Sequence, residues 1–229
     1  MSDLGRREAI QRRFWDRVYD RFALWYDGVD WFTGNAAHRL RRRVLAHLPA
    51  PGSRVLEIGF GTGRLHVELA PRYRVAGVDL AYGMARLTAR RLASRGMIPV
   101  LCVANANALP WPAATFDAVC STFFFSAVAD AGRALDEMVR VTRPGGRVLI
   151  VDAGEALDGN QVAHMLARAW ETLGDYMRDE RPLMAARGLA VERHDYGPWS
   201  AVHITIGTVP TRAEDWDAPA LGVATSAAG

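Results

Sequence analysis

Hydrophobic and polar positions follow two different periods along the chain, which predicts helices and strands in succession. Residues 4–27 carry large apolar side chains at every third or fourth position, so one face of a helix is apolar and aromatic. A second helix is predicted from about Asn35 to His47, ahead of a proline and glycine break. We interpret the two helices as a lid over a pocket, and plain packing helices are the alternative.

From residue 54 onward, short apolar runs alternate with amphipathic segments, which is typical of βαβ units and predicts a parallel sheet. The predicted strands are residues 54–58, 74–79, 98–104, 116–121, 147–152, 190–195 and 201–208. The predicted helices are residues 63–70, 82–95, 129–142 and 160–177. We therefore expect an α/β fold with a doubly wound, Rossmann-like, seven-stranded sheet in residues 51–210 and lid helices in residues 1–50. Residues 211–229 lack periodicity and are predicted to be disordered.

A glycine-rich turn follows the first predicted strand, and its three glycines are Gly59, Gly61 and Gly63. Glycine permits a tight turn and the close approach of a ligand. A helix expected to begin near Thr62 would direct free N–H groups into this turn. Asp79 ends the next strand, twenty positions after the first glycine. An acidic residue there accepts hydrogen bonds from ribose hydroxyls in doubly wound folds, although Asp79 could instead cap the helix near Tyr82. The pattern predicts a nucleoside-binding domain.

The glycine spacing distinguishes between nucleosides. A dinucleotide site needs G-x-G-x-x-G/A, but Arg64 occupies the third small position here, which argues against a nicotinamide oxidoreductase. Glu57 lies two residues before the first glycine. The resulting E-x-G-x-G-x-G pattern resembles the first motif of class I S-adenosylmethionine (SAM) methyltransferases.

Two later segments supply further candidate contacts. Asn105 follows the third strand and can both donate to and accept from an adenine edge, as can the backbone of Ala106. Asn107 competes with Asn105, and either could simply stabilise a turn. Thr122 and residues 123–125, three phenylalanines, follow the fourth strand at the carboxyl edge, where ligands bind in this architecture. Because one strand cannot bury three consecutive aromatics, we expect at least one to face the substrate pocket.

The resemblance extends over nearly the whole chain and is most specific to the menaquinone/ubiquinone-biosynthesis methyltransferase-like group. It is carried by Tyr26-Asp27, His38-Arg39-Leu40, Gly61-Thr62-Gly63, Asp79, Ala104-Asn105-Ala106, Leu109-Pro110, Thr115-Phe116-Asp117 and Arg143-Pro144-Gly145-Gly146. It implies SAM as the cofactor and a lid position for Tyr26 beside it. Together, motif and resemblance give as cofactor-binding residues Tyr26, Glu57, Gly59, Gly61, Thr62, Gly63, Asp79, Leu80, Asn105, Ala106 and Thr122.

The sequence departs from the quinone enzymes at two places. They carry Gly-Leu-Arg-Asn after the fourth strand, where this chain has residues 124–127, Phe-Phe-Ser-Ala. They carry Leu-Glu-Phe at the end of the fifth strand, where this chain has residues 151–153, Val-Asp-Ala. The expected acceptor is therefore a small or lipid-like, largely apolar molecule, either quinone-like or a phospholipid amine. A non-catalytic SAM-binding protein and a methyltransferase of a secondary metabolite are the alternatives.

Charge and composition limit the partners. All 28 basic side chains are arginines, and residues 1–50 hold ten of them against six acidic residues. This basic section could contact an anionic membrane surface or an acidic partner, or it could be a solvated helix face. The near-neutral remainder and the absence of an Asn/Asp-Pro-Pro-aromatic element argue against nucleic acid. We expect free thiols at Cys102 and Cys120, no signal peptide or membrane span, and a cytoplasmic protein. The oligomeric state is not predicted.

No metal cluster or nucleophile triad is evident, and the expected chemistry needs neither. The donor methyl group is already activated, so alignment and exclusion of water can supply about 7–11 kcal/mol of the barrier reduction. Candidate bases are His38, His164, His194, His203 and Asp152, and each could equally be structural. The catalytic residue is therefore left unassigned.

Overall fold

The structure is a computed structural model that describes residues 35–154, 178–196 and 202–211. Within these residues, seven strands form one sheet in the order β3-β2-β1-β4-β5-β7-β6. The strands are β1 (Arg54–Ile58), β2 (Arg74–Asp79), β3 (Leu101–Val103), β4 (Phe116–Thr122), β5 (Thr142–Ala153), β6 (Ala190–Tyr196) and β7 (Val202–Thr208). The described helices are α1 (Ala36–Arg41), α2 (His66–Leu69), α3 (Tyr82–Ala93), α4 (Ala131–Val141) and α5 (Glu180–Ala185), with 3₁₀ turns at Arg42–Ala46 and Phe125–Ala127. The expected seven-stranded α/β fold is confirmed.

The central strands are buried on both faces because apolar residues occupy successive positions. In β1, Val55 packs in one hydrophobic cluster while Leu56 and Ile58 pack in another across the sheet. Strands β1 to β5 are parallel, so their carboxyl ends meet at one edge. The cofactor-binding residues predicted from sequence, apart from Tyr26, lie at or just after the carboxyl ends of these strands.

The direction of β7 differs from the parallel sheet expected from the βαβ pattern. β7 is antiparallel to both β5 and β6. Only five residues separate Tyr196 from Val202, and a parallel crossover needs a dozen or more. The short connection therefore enforces antiparallel pairing.

Several element bounds differ from those predicted. β3 covers only residues 101–103, and Ile98 and Val100 are exposed, because this edge strand pairs with β2 alone. The helix after the glycine turn begins at His66 rather than near Thr62, since Gly61 and Gly63 have positive φ angles of 52° and 74° that a right-handed helix does not admit. β5 begins at Thr142, so the Pro-Gly-Gly stretch lies inside the strand.

Helix α4 shows why these elements form. Asp130 caps it by accepting a hydrogen bond from the N–H of Arg133 at 3.0 Å. Its buried stripe, which includes Leu135 and Met138, packs on the cluster that holds Leu56 and Ile58. This burial fixes α4 against one face of the sheet. From that position α4 supports the loop that follows β3.

The predicted lid is only partly within the described residues. The segment expected as a helix from Asn35 to His47 is α1 followed by a 3₁₀ turn. The first predicted helix, the helix predicted at 160–177 and the tail beyond residue 211 lie outside the described residues. None of the described helices is long and apolar enough to cross a membrane. The two cysteines are free thiols as predicted, with Cys120 buried and Cys102 half-buried.

Candidate functional site

Asp79 joins the two halves of the nucleoside motif. Its Oδ2 accepts the N–H of Gly61 at 2.8 Å, and its Oδ1 accepts the N–H of Ala81 at 2.9 Å. Burial raises the pKa of the Asp79 carboxyl, and the N–H groups of Ala81, Gly61 and Leu80 oppose that rise by stabilising the carboxylate. Each oxygen retains a lone pair, so the carboxylate is oriented and can still accept hydroxyl donors.

The three motif glycines serve different purposes. A Cβ at Gly59 would collide with the Phe124 ring, and one at Gly63 would collide with the Thr88 side chain. These two glycines therefore permit packing inside the protein. A Cβ at Gly61 would meet no heavy atom within 4 Å. Gly61 is thus the position at which the turn presents bare backbone to open space, as close approach of a ligand requires.

Glu57 is held inside the protein by a residue that the sequence analysis missed. His66 Nδ1 lies 2.8 Å from Glu57 Oε2, and both side chains are 1–2% exposed. The contact ties the end of β1 to the start of α2 across the glycine turn. The assignment of Glu57 to the cofactor stays a prediction. A histidine three residues after the last motif glycine was the available signal for its partner.

The loop after β3 carries the predicted adenine contacts. Asn105 is exposed, and its Oδ1 accepts the N–H of Asn107 at 3.0 Å, so its side-chain oxygen stabilises a turn. Ala106 is buried. Among the described residues nothing bonds the buried Oδ1 of Asn107, which keeps this residue a competitor for the adenine edge.

Helix α4 anchors this loop through one ion pair. Glu137 accepts the N–H of Leu109 at 2.6 Å, while Arg140 donates to the carbonyls of Leu109 and Trp111. The hydrogen bond from Arg140 lowers the pKa of Glu137, so the carboxylate stays charged at neutral pH. The loop backbone is thereby fixed beside the carboxyl ends of β2 and β3.

The three phenylalanines after β4 point to different places. Phe125 is fully buried in the core, and Phe124 packs against that core beside Gly59. Phe123 is half-buried with a φ of +51°, which is rare for a bulky residue. Its N–H donates to the Val151 carbonyl at 2.7 Å, and its ring lies 5.0 Å from the Arg41 guanidinium of α1. Phe123 is thus held out of the core at the carboxyl edge.

The predicted site residues Thr122 and Leu80 also follow strand ends. Thr122 is buried at the end of β4, and Leu80 is half-buried directly after Asp79. Thr62 is buried in the glycine turn. Tyr26 lies outside the described residues. Roles of these residues in cofactor binding stay predictions.

Three of the candidate bases, His38, His203 and Asp152, already contact polar partners within the protein. His203 is fully buried with its Nε2 2.6 Å from Glu180 Oε2, and His38 Nε2 lies 2.7 Å from Glu68 Oε1. His194 is exposed on β6, and His164 lies outside the described residues. Asp152 is buried, and its carboxylate accepts the N–H and the hydroxyl of Ser126, both at 2.8 Å. None of these contacts assigns a catalytic base.

Comparison with known proteins identifies the chain. Residues 56–150 match the family model described as a methyltransferase domain. The chain is 36% identical over 162 residues to a phosphatidylethanolamine N-methyltransferase of Cereibacter sphaeroides, an alignment that covers 69% of this chain and 78% of the relative. This chain belongs to the class I SAM-dependent methyltransferases.

Two further similarities agree with that membership. The chain is 32% identical over 170 residues to the ubiquinone/menaquinone biosynthesis C-methyltransferase UbiE of Bordetella parapertussis, covering 72% of this chain and 64% of the relative. A SAM-dependent methyltransferase of Thermotoga maritima, described as a possible histamine N-methyltransferase, has the same fold with a TM-score of 0.66. It shares 21% identity and covers 85% of this chain and 99% of its own. SAM is therefore the methyl donor of this methyltransferase.

The described residues fit that cofactor. The open space at Gly61 admits it against the turn, and the oriented carboxylate of Asp79 has lone pairs for two ribose hydroxyls. When bound, SAM supplies an electrophilic methyl group on a positively charged sulfur. The protein supplies a fixed turn, a fixed carboxylate and a fixed loop after β3.

Proposed function

We propose that this methyltransferase acts on a lipid-like acceptor and that its acceptor group is the primary amine of a phospholipid such as phosphatidylethanolamine. The observation that carries the proposal is the contact between Ser126 and Asp152. The relative from Cereibacter sphaeroides, named for that reaction, supports the same class of acceptor.

Ser126 and Asp152 lie in the two stretches at which the sequence departs from the quinone enzymes. Those enzymes carry Arg at the position of Ser126, in a stretch whose polar groups face the quinone ring, and Glu at the position of Asp152. In this chain, both donors of Ser126 turn inward to the carboxylate, and Ser126 and Asp152 are only 8% and 1% exposed. A short serine that is already bonded to its neighbour offers little to a polar ring, which argues against a quinone.

The surface that remains beside the end of β4 is aromatic. Phe123 stands out of the core, and Phe124 lies against the glycine turn. The Arg41 guanidinium lies over the Phe123 ring, so the face of this ring already makes a cation–π contact. An apolar acceptor that ends in a neutral amine fits such a surface, because the Arg41 guanidinium beside the ring would repel a cation.

The proposed reaction balances without another reactant. The neutral amine nitrogen forms a bond to the methyl carbon while the carbon–sulfur bond breaks, giving S-adenosylhomocysteine and a methylated ammonium that releases a proton to water. The protein contributes alignment of the two reactants and exclusion of water by the aromatic side chains. The turn at Gly61 and the Asp79 carboxylate would hold the nucleoside during transfer.

The basic section before β1 would bring the protein to its acceptor. Within the described part of that section, Arg39, Arg42 and Arg43 are exposed, although Arg42 Nε lies 2.8 Å from Glu68 Oε2 and Arg43 lies over the Tyr196 ring. Exposed arginines are attracted to anionic lipid at about 1 kcal/mol each. We infer that this side of the protein meets the membrane surface peripherally.

The test is methyl transfer to vesicles. The full chain is incubated with methyl-labelled SAM and phosphatidylcholine vesicles that do or do not contain phosphatidylethanolamine, and lipid-bound label is separated and counted. Phosphatidylcholine alone is the matched control because its nitrogen has no site left for methylation. We expect label only when the primary amine is present. Phe123→Asn, which tolerates the left-handed backbone, should lower kcat/KM for lipid while leaving affinity for S-adenosylhomocysteine intact.

The alternatives give different results. Label in a demethylated quinol but not in phosphatidylethanolamine would overturn the proposal in favour of a quinone acceptor. Label only in soluble phenols or other small molecules would indicate a secondary-metabolite enzyme. Binding of S-adenosylhomocysteine without transfer to any acceptor would favour a SAM-binding protein.

A further inference from the structure

A basic cavity lies at the opposite edge of the sheet from the cofactor site. Its volume is about 370 Å³, and its lining includes Arg54, Arg74, Arg143 and Asp117. These residues lie at or near the amino ends of β1, β2, β4 and β5, whereas Gly59 and Asp79 lie at the carboxyl ends. β1 rises about 3.3 Å per residue, so roughly 13 Å of strand separates Arg54 from Ile58. The cavity is therefore distinct from the SAM site.

Two of its arginines are neighbours of the same charge. Arg54 and Arg74 are the first residues of adjacent parallel strands and are register partners, so their side chains leave the same face of the sheet. Like charges directly opposite each other on a sheet repel. Both side chains are exposed, so solvent screens this repulsion, and no carboxylate of the described residues pairs with either guanidinium.

The third arginine is fixed in place by the cavity's carboxylate. Arg143 Nη1 lies 2.8 Å from Asp117 Oδ1, and the backbone N–H of Arg54 donates to Asp117 Oδ2 at 2.7 Å. Both oxygens of Asp117 are thereby occupied by groups of the wall. Three guanidinium groups and one carboxylate leave the cavity with two positive charges in excess.

The backbone leaves room for a ligand beside these charges. Gly52 lines the cavity with a φ of +87°, and a Cβ there would meet no heavy atom within 4 Å. Thr115 also lines the cavity and donates its hydroxyl to the Pro112 carbonyl at 2.7 Å. The cavity is thus open beside Gly52, while a hydrogen bond holds the Thr115 side chain in its wall.

We propose that this cavity binds a phosphate group. Planar guanidinium groups bind phosphate oxygens through paired, charge-assisted hydrogen bonds, and a phosphate dianion matches the excess charge. The phosphate belongs either to a soluble phosphate ester or to a lipid headgroup, and the chemistry of the site is the same for both.

The test measures inorganic phosphate binding to the full chain by calorimetry at low ionic strength. The wild type should bind saturably, and Arg54→Gln/Arg74→Gln should bind about tenfold more weakly, because charge-assisted hydrogen bonds are lost. Arg86→Gln is the matched control, since Arg86 is an exposed arginine of α3 outside the cavity. Affinity for S-adenosylhomocysteine reports that each variant is folded.

Vesicles distinguish the two sources of the phosphate group. Wild-type protein and the double variant are sedimented with phosphatidylglycerol vesicles and with phosphatidylcholine vesicles. If the double variant, unlike wild type, no longer sediments with phosphatidylglycerol vesicles, the ligand is a lipid phosphate. If both proteins sediment equally with the vesicles while the double variant binds inorganic phosphate more weakly, the ligand is a soluble phosphate ester. Equal phosphate binding by wild type and the double variant, or an equal loss in Arg86→Gln, would overturn the proposal.

Discussion

Ser126 binds the buried carboxylate of Asp152 with both of its donors, the backbone N–H and the side-chain hydroxyl, each at 2.8 Å. The contact ties the turn after β4 to the end of β5, where Phe123 also donates to Val151. Burial nevertheless raises the pKa of Asp152 to about 6, with Glu180 adding to the rise and the Ser126 and Ala153 donors opposing it. The turn that borders the proposed acceptor region is therefore held by a carboxyl group that titrates near physiological pH.

This pKa gives stability a specific dependence on pH. An unfolded aspartate titrates near 3.9, so between about pH 4 and pH 6 the folded protein holds a proton that the unfolded chain has lost. The free energy of unfolding contributed by Asp152 therefore falls as pH rises through this window, by on the order of 3 kcal/mol in total. Asp152→Asn removes the titration, so the difference between wild type and variant should change with pH by about that amount.

Urea unfolding of both proteins at intervals from pH 4 to pH 7.5 measures the difference. Other carboxyl groups titrate in both proteins and cancel in the comparison. Parallel stability curves across the window would show that Asp152 does not carry a raised pKa.

The buried pair of Glu57 and His66 predicts a large loss of stability from a single change. His66→Phe leaves the Glu57 carboxylate buried without its partner, which costs about 3–5 kcal/mol. Glu57→Leu combined with His66→Phe should recover much of that loss, because two apolar groups replace two buried polar ones. Denaturant midpoints measure each variant.

His194→Ala is the matched control for this pair. His194 also faces a glutamate, Glu192, at 3.9 Å, but both side chains are largely exposed. Its removal should change stability by less than about 1 kcal/mol. A loss in His66→Phe no greater than that in His194→Ala would contradict the structural role given to Glu57 and His66.

Alanine substitutions at Gly61 and Gly96 distinguish the effect of backbone strain from the effect of ligand contact. Gly61 and Gly96 both have positive φ, +52° and +70°, and open space where a Cβ would stand. Alanine at either position should lower the free energy of unfolding by about 1 kcal/mol, because its Cβ strains a backbone with positive φ. Only Gly61→Ala places a methyl group in the predicted cofactor space, so only it should weaken binding of S-adenosylhomocysteine, by about tenfold. Equal affinities for the two variants would remove Gly61 from the cofactor site.

The strand pattern was predictable because it depends on local composition. Apolar runs such as 54–58 and 74–79 match β1 and β2 to the residue. The strand predicted at 98–104 is shorter in the structure because β3 lies at the sheet edge and pairs with β2 alone. The sequence does not say which strand is at the edge. The antiparallel direction of β7 could have been predicted from the short connection before it.

The candidate site was predictable where a motif carries its chemistry. Gly61 and Asp79 were found from spacing, and the structure places them in direct contact. The partner of Glu57 was missed because contacts between side chains depend on how α2 folds back over the turn. The left-handed backbone of Phe123 has no signal in its residue type, and the partners of Phe123, Val151 and Arg41, are distant from it in the sequence.

The most direct measurement is calorimetric binding of S-adenosylhomocysteine to wild type, Asp79→Asn and Asp117→Asn. Asp79→Asn removes the carboxylate that would accept the ribose hydroxyls, which should cost about 1.5–3 kcal/mol, or about ten- to hundredfold in Kd. Asp117→Asn makes the same change at the opposite edge of the sheet, where Arg143 is its partner, and should leave this Kd unchanged. Wild-type affinity retained in Asp79→Asn, or lost equally in both variants, would contradict the cofactor site described here.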